Sequence, residues 1–318
     1  MNRLIPELKG HEKTTLYIIG NGFDIYHGLK TRYIDFYEWL IANNCGDFVS
    51  NMEKMFPQLS GNELLLWKDF EEAMNSFDLI DIHRKFFQGK DDLYDDSTCK
   101  MVVERIKSTL KYIPIFLRQW LNCIDVLDVK PLFKLDRDSM YLSFNYTMLL
   151  EHIYLIPKNR VLHIHNSLDN DAPLITGHKT TISEYLAEDQ CKGYIEEQST
   201  KLIAQEMNQR VKPVDKLKKV HKEFFATLKR ISNVVVFGHS LGDIDLPYIE
   251  EIQKNIQDYA HWYFITKDDS NVEKIQKYVK QYNNFYDPRS VCGAELFYKK
   301  MLSENCKYFK TEKETICR

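Results

Sequence analysis

The chain has 318 residues, of which 43 are basic and 46 acidic, for a formal net charge of −3. That length allows about two domains, or one large α/β domain with insertions. The near-neutral balance argues against nucleic acid or an anionic membrane as the main partner, and 44% apolar with 28% charged residues excludes disorder for most of the chain.

The longest apolar runs, such as Leu16–Ile19 and Val234–Phe237, fall well short of the roughly 18 residues that span a bilayer. The opening MNRLIPELKGHEK lacks the apolar stretch and small-residue cleavage site of a secretory leader. Seven cysteines are scattered, with no CxxC pair and no Cys/His spacing suited to zinc. The expectation is a reduced, soluble, cytoplasmic protein without a structural metal.

In chain order, Thr14–Ile19 (TTLYII) is β-prone and stops at Gly20, which predicts a buried strand. Tyr33–Ala42 reads as an amphipathic helix. Ser60 and Glu63 have the spacing of a capping box, heading a helix that carries Leu66, Phe70, Met74 and Phe77. Lys100–Ile124 is a longer helical pattern, with Pro114 as the point where it could kink. Residues 30–130 therefore read as a helical insertion over the first strand. Strands are predicted at Met140–Phe144, Arg160–His165 and Pro173–Thr176, with a helix at Thr147–Leu155 after the first of them. Residues 181–231 form a second helical insertion. Between Lys201 and Arg230 it carries nine basic residues against three acidic, a pattern more often a solvated helix face than a nucleic-acid site. Strands at Asn233–Phe237 and Trp262–Ile265 flank a helix at 247–257, and a last helix covers Val272–Val279. Strands alternating with helices predict an α/β domain with a mostly parallel sheet flanked by helices, a single domain over 1–318.

In such sheets ligands bind beyond the carboxyl ends of the strands, and three polar segments fall there. The first is Gly20-Asn21-Gly22-Phe23-Asp24. Its glycines would let backbone N–H groups approach a phosphate or ribose. The spacing is neither GxGxxG nor a P-loop, and a tight strand-to-helix turn is an equal reading. The second joins Ser143-Phe144-Asn145-Tyr146-Thr147 and Glu151 to Val161–Asn166. Strand alternation puts His163 and His165 on one face. His163 reads as a hydrogen-bonded core histidine, His165 as the reactive side chain at the strand end, and Asn145 as its partner or a helix cap. The third is Gly238-His239-Ser240-Leu241-Gly242-Asp243-Ile244-Asp245. Gly238 permits close backbone approach, Ser240 could bond a ribose or phosphate, and Asp245 caps a helix with Pro247 in its first turn. Read as an esterase elbow, Ser240 lacks a convincing downstream histidine, His261 being the one available.

Together, LYIIGNGFDIYHGLKTRYIDF, LSFNYTMLLEHIY, VLHIHNS and VVFGHSLGDIDLPYI resemble the AbiH family of bacteriophage abortive-infection proteins. That family is in turn similar to the sirtuin-like NAD-binding fold, Rossmann-like in type, and to its NAD-hydrolysing defence members. The resemblance implies Asn145 and His165 as catalytic residues, with Glu151 at the family's glutamate. It implies Gly20, Asn21, Gly22, Phe23, Asp24, Gly238, His239, Ser240 and Asp245 around the nucleotide. Three departures stand out: GNGFD where sirtuin-like proteins have GAGxS, Thr147 where an acidic residue follows Asn-Tyr, and Asn166 where a glycine follows the histidine. The zinc-binding cysteine pairs of deacylases are missing, which argues against deacylation.

The implied activity is hydrolysis of NAD to nicotinamide and ADP-ribose, with NAD as substrate rather than cofactor. The reaction passes through an oxocarbenium-like ribose; His165 would act as general base and Asn145 would hold the ribose or the water. Such an effector stays silent until a phage-derived trigger or partner protein acts, and homo-oligomerisation is open. Two other readings stand beside it: a non-catalytic nucleotide-binding sensor, and a nucleic-acid-acting protein using Lys201–Arg230.

Overall fold

The computed structural model describes residues 15–56, 59, 70–74, 77–87, 96–132, 135–179, 194–266 and 291–293. Thr15–Ile19 (β1) is followed by the helices Asn21–Tyr26 (α1), Tyr33–Ala42 (α2), Gly46–Met55 (α3), Phe70–Ala73 (α4), Leu79–Phe87 (α5) and Asp96–Leu121 (α6). Met140–Ser143 (β2), Leu149–His152 (α7) and Val161–His163 (β3) come next, then Tyr194–Asn208 (α8), Val214–Val220 (α9) and Lys222–Ala226 (α10). Asn233–Phe237 (β4), Leu246–Asn255 (α11), His261–Thr266 (β5) and Val291–Gly293 (β6) complete the order.

The chain divides into two compact units, one of Met1–Thr31, Leu121–Ala172 and Val214–Arg318, the other of Arg32–Trp120 with Pro173–Pro213. The first holds a six-stranded sheet, every pair parallel, in the order β3-β2-β1-β4-β5-β6. Every residue of β1 is buried, as is β4 after Asn233. That is why both read as unbroken apolar runs rather than alternating ones: a parallel strand is covered on both faces. Ile18 pairs with Leu142 on one side and Val236 on the other. On one face Tyr17 and Tyr141 stack with centroids 4.9 Å apart, in a core that also holds Phe23, Leu149, Leu150, Tyr154 and Phe237.

From β1 the chain builds outward in one direction through β2 and β3, and in the other through β4, β5 and β6. Connections leaving β1 and β4 therefore diverge, the arrangement that in open α/β sheets sets ligand sites at the carboxyl ends of such strands. The named elements of the second unit are helices. Phe36 packs on Trp120 and Phe70 there, with centroids 5.2 and 6.3 Å away, and Arg84 of α5 bonds Glu196 of α8 at 3.2 Å.

The structure corrects four readings. Gly20–Asp24 does not merely turn: a helix starts at Asn21. The third strand ends at His163 rather than His165, because the chain reverses there, with Asn166 N–H donating to His163 O and Asn166 at φ 65°. Pro173–Thr176 is not a strand, Pro173 having no N–H for a ladder, and only His178 beyond it makes an isolated bridge, to Val211. The helix after β2 spans Leu149–His152 alone. The capping box at Ser60 and Glu63, residues 181–193 and the helix at Val272–Val279 lie outside the described residues. Among those described, no helix is long and apolar enough to cross a membrane.

Candidate functional site

The segments after β1, β2, β3 and β4 meet at one end of the sheet because each continues its strand's ladder by one residue. Phe144 N–H donates to Ile19 O at 2.8 Å, Ile164 N–H to Ser143 O at 3.1 Å, and Gly20 N–H to Phe237 O at 2.9 Å. Gly22 N–H donates to Gly238 O at 2.9 Å. A Cβ on Gly20 would lie 2.5 Å from the His239 Cα, and one on Gly22 would lie 2.6 Å from the Gly238 Cα. Gly238 has φ 65°, and a Cβ there would reach Phe23 N at 2.4 Å. These glycines are required because two backbones touch, and the amides of Gly20 and Gly22 are committed to carbonyls of the β4 loop. Asn21 donates its side-chain amide to Thr31 O at 2.7 Å, and Phe23 is wholly buried in the core.

Asp24 is the member of that loop that turns into the site. Its carboxylate, on a residue 2% exposed, accepts Asn145 Nδ2 at 2.8 Å and the Thr147 hydroxyl at 2.6 Å. Burial pushes its pKa up to about 6, against the lowering effect of the Thr147 and Asn145 hydrogen bonds and of nearby His163. Asn145 gives its other amide hydrogen to Gly20 O at 3.1 Å. The orientation of the amide is therefore decided: reversed, its oxygen would face a carboxylate and a carbonyl, both acceptors. Asn145 Oδ1 is left buried without a hydrogen-bond partner.

Beneath Asn145, His163 bonds the Asn145 carbonyl oxygen through Nδ1 at 2.8 Å and Glu151 Oε1 through Nε2 at 2.9 Å. Both partners are acceptors, so both ring nitrogens donate, and the group is an imidazolium against a carboxylate. Burial alone would depress the His163 pKa; the Glu151 carboxylate outweighs it, with help from the Asn145 carbonyl and Asp24, and the net shift is upward.

His165 and His163 do not share surroundings. The His165 ring lies edge-on to Phe144 and Tyr248, with centroids 5.5 and 5.7 Å away. Its Nε2 is 3.8 Å from Asp245 Oδ1, whose other oxygen is 3.4 Å from His239 Nε2. Asp245 stands at the cap position of α11, with Pro247 in the first turn, but makes no side-chain capping bond. Ser240 is exposed. Among the described residues no group of three or more His, Cys, Asp and Glu side chains is arranged to hold a metal.

The chain matches the profile described as "Bacteriophage abortive infection AbiH" over residues 16–266. It belongs to the AbiH family. This assigns the protein to phage abortive infection. No curated protein and no solved structure matches the chain.

Within this AbiH chain, the strand-end segments named from sequence come together, but the partners inside them were not legible. The Asp24–Asn145 and Asp24–Thr147 bonds join residues 121 and 123 positions apart. The signal in the sequence was the presence of Asp24 and Thr147 themselves, an acid and a hydroxyl each just past a strand end. Asn166 adopts the left-handed conformation that asparagine tolerates better than most side chains.

Proposed function

We propose that this AbiH protein is an abortive-infection effector that hydrolyses NAD to nicotinamide and ADP-ribose. The observation that carries the reading is the Asn145 side chain: its amide hydrogens are fixed on Asp24 and Gly20 O, and its Oδ1 is a buried acceptor with no partner. It stands past the carboxyl end of β2, in a sheet whose strand order is that of Rossmann dinucleotide-binding folds. Two further features support it: the Asp24–Thr147 bond and the left-handed Asn166.

In this reading Asn145 Oδ1 accepts a hydrogen bond from a ribose hydroxyl or from the attacking water. Nicotinamide leaves as a neutral base, so no strong acid is needed at the leaving group. The developing oxocarbenium character at C1′ is met by water, whose proton passes to His165. The phosphates meet side chains of the strand-end loops rather than the Gly20 and Gly22 amides, which are already bonded.

The test is to incubate the purified chain with NAD, with and without an extract of phage-infected cells, and to follow free nicotinamide. Release is expected and should be lost in both Asn145→Ala and His165→Ala, with melting curves still cooperative. Binding of ADP-ribose without any release would instead favour a sensor.

A further inference from the structure

Asp245 is placed as a helix cap yet does no capping. Its two oxygens divide between two imidazoles, Oδ1 toward His165 Nε2 at 3.8 Å and Oδ2 toward His239 Nε2 at 3.4 Å. The three side chains are 3%, 5% and 11% exposed for His165, His239 and Asp245. The tautomer of His239 is set by the backbone: Leu241 N–H donates to its Nδ1 at 2.9 Å, so the proton of the neutral ring sits on Nε2, facing the carboxylate. Phe144 lies against both rings, 4.1 Å from His239 and 5.5 Å from His165 by centroids. A carboxylate in such surroundings is costly without a positive partner. His165 supplies one whenever it takes up a proton.

We propose that Asp245 is the positioning carboxylate of His165, shared with His239, so that the protonation of His165 is governed by both neighbours. Asp245 lies 3.8 Å from His165 and carries His239 on its other oxygen, both from the segment between β4 and α11, while Tyr248 of α11 packs edge-on against the His165 ring. The proposal rests on the hydrolytic reading for its use in turnover. As water attacks, its O–H bond breaks and the proton joins a His165 nitrogen. The water oxygen bonds C1′, and the C1′–N bond breaks with its electron pair leaving on nicotinamide. Asp245 stabilises the imidazolium so formed and is not itself protonated.

The experiment is a histidine NMR titration of the full chain labelled with 13C-histidine, with the His165 resonance identified by its loss in His165→Gln. Asp245→Asn should lower the His165 midpoint by about one pH unit, because the opposite charge is gone. His239→Gln keeps a neutral donor on Asp245 and removes a competing imidazole, so the midpoint should rise and any two-step titration become single. Opposite shifts support the proposal; an unchanged midpoint in either folded variant overturns it. If Asp245→Asn fails to fold, His239→Gln carries the test. The titration needs no turnover. A chain that shows both shifts but releases no nicotinamide from NAD keeps the coupled unit and loses the hydrolytic reading. Where release is seen, the low-pH limb of its rate profile should move down in Asp245→Asn.

Discussion

Two polar clusters share one end of the sheet and are built differently. The side-chain bonds that join Asp24 to Asn145 and Thr147, and Asn145 to Gly20 O, are 2.6 to 3.1 Å long, of ordinary hydrogen-bond length or shorter. Around Asp245 the imidazoles stand 3.4 and 3.8 Å away, held by the rings of Phe144 and Tyr248. The first fixes the direction of one amide. The second holds its carboxylate at looser range from two imidazoles. The hydrolysis proposed above calls for a fixed amide and a mobile proton, and it would divide them between separate carboxylates.

This contrast sets the order of expected effects on stability. Asn145→Asp should be the most damaging, since it turns the donor facing Asp24 Oδ1 and Gly20 O into a second buried acceptor. A loss of about 3 kcal/mol or more is expected from chemical denaturation. Thr147→Val removes one hydrogen bond to the Asp24 carboxylate and should cost about 2 kcal/mol. Asp245→Asn, which loosens only contacts of 3.4 and 3.8 Å to the two imidazoles and keeps a polar side chain of the same shape, should cost less than either, about 1 kcal/mol. If Asp245→Asn proved as costly as Asn145→Asp, the distinction between the clusters would be wrong.

A pH series sharpens the tighter cluster further. Asp24 has its pKa raised from 3.8 to about 6 by burial, so its contribution is full below 3.8 and is lost as pH rises through 6. His27 is lowered from 6.5 to about 4 by burial, against a backbone bond to Phe23 O, so its contribution is full above 6.5 and is lost as pH falls through 4. Each is worth about 3 kcal/mol over its window, with opposite signs, and the two offset one another on acidification. Asp24→Asn retains an acceptor for Asn145 and removes one side of this balance. Its stability should fall by about 3 kcal/mol more than wild type between pH 6.5 and pH 4. Parallel curves would show that Asp24 does not titrate as its burial requires.

What could be read in the sequence was set by local chemistry. β1, β4 and β5 are apolar enough to announce themselves. β6, only Val291–Gly293, lies within no recognisable run. α1 is hidden because Gly-Asn-Gly is turn chemistry, and its glycines answer to a neighbouring loop rather than to their own helix. Assigning His163 and His165 to one face failed for a related reason: alternation holds only while the strand lasts, and Asn166 ends it. Asn145, His165 and Asp24 could be named as polar groups at strand ends. That Asp24 holds Asn145, that Glu151 charges His163, and that Asp245 faces two imidazoles are products of strand order, which spacing along the chain does not encode.

The most direct test is the NAD content of phage-infected cells carrying either the wild-type chain or Asn145→Ala at equal abundance. The account predicts that NAD collapses, with nicotinamide and ADP-ribose rising together, in the wild type alone. Equal NAD levels in the two strains while the wild type still arrests infection would contradict it.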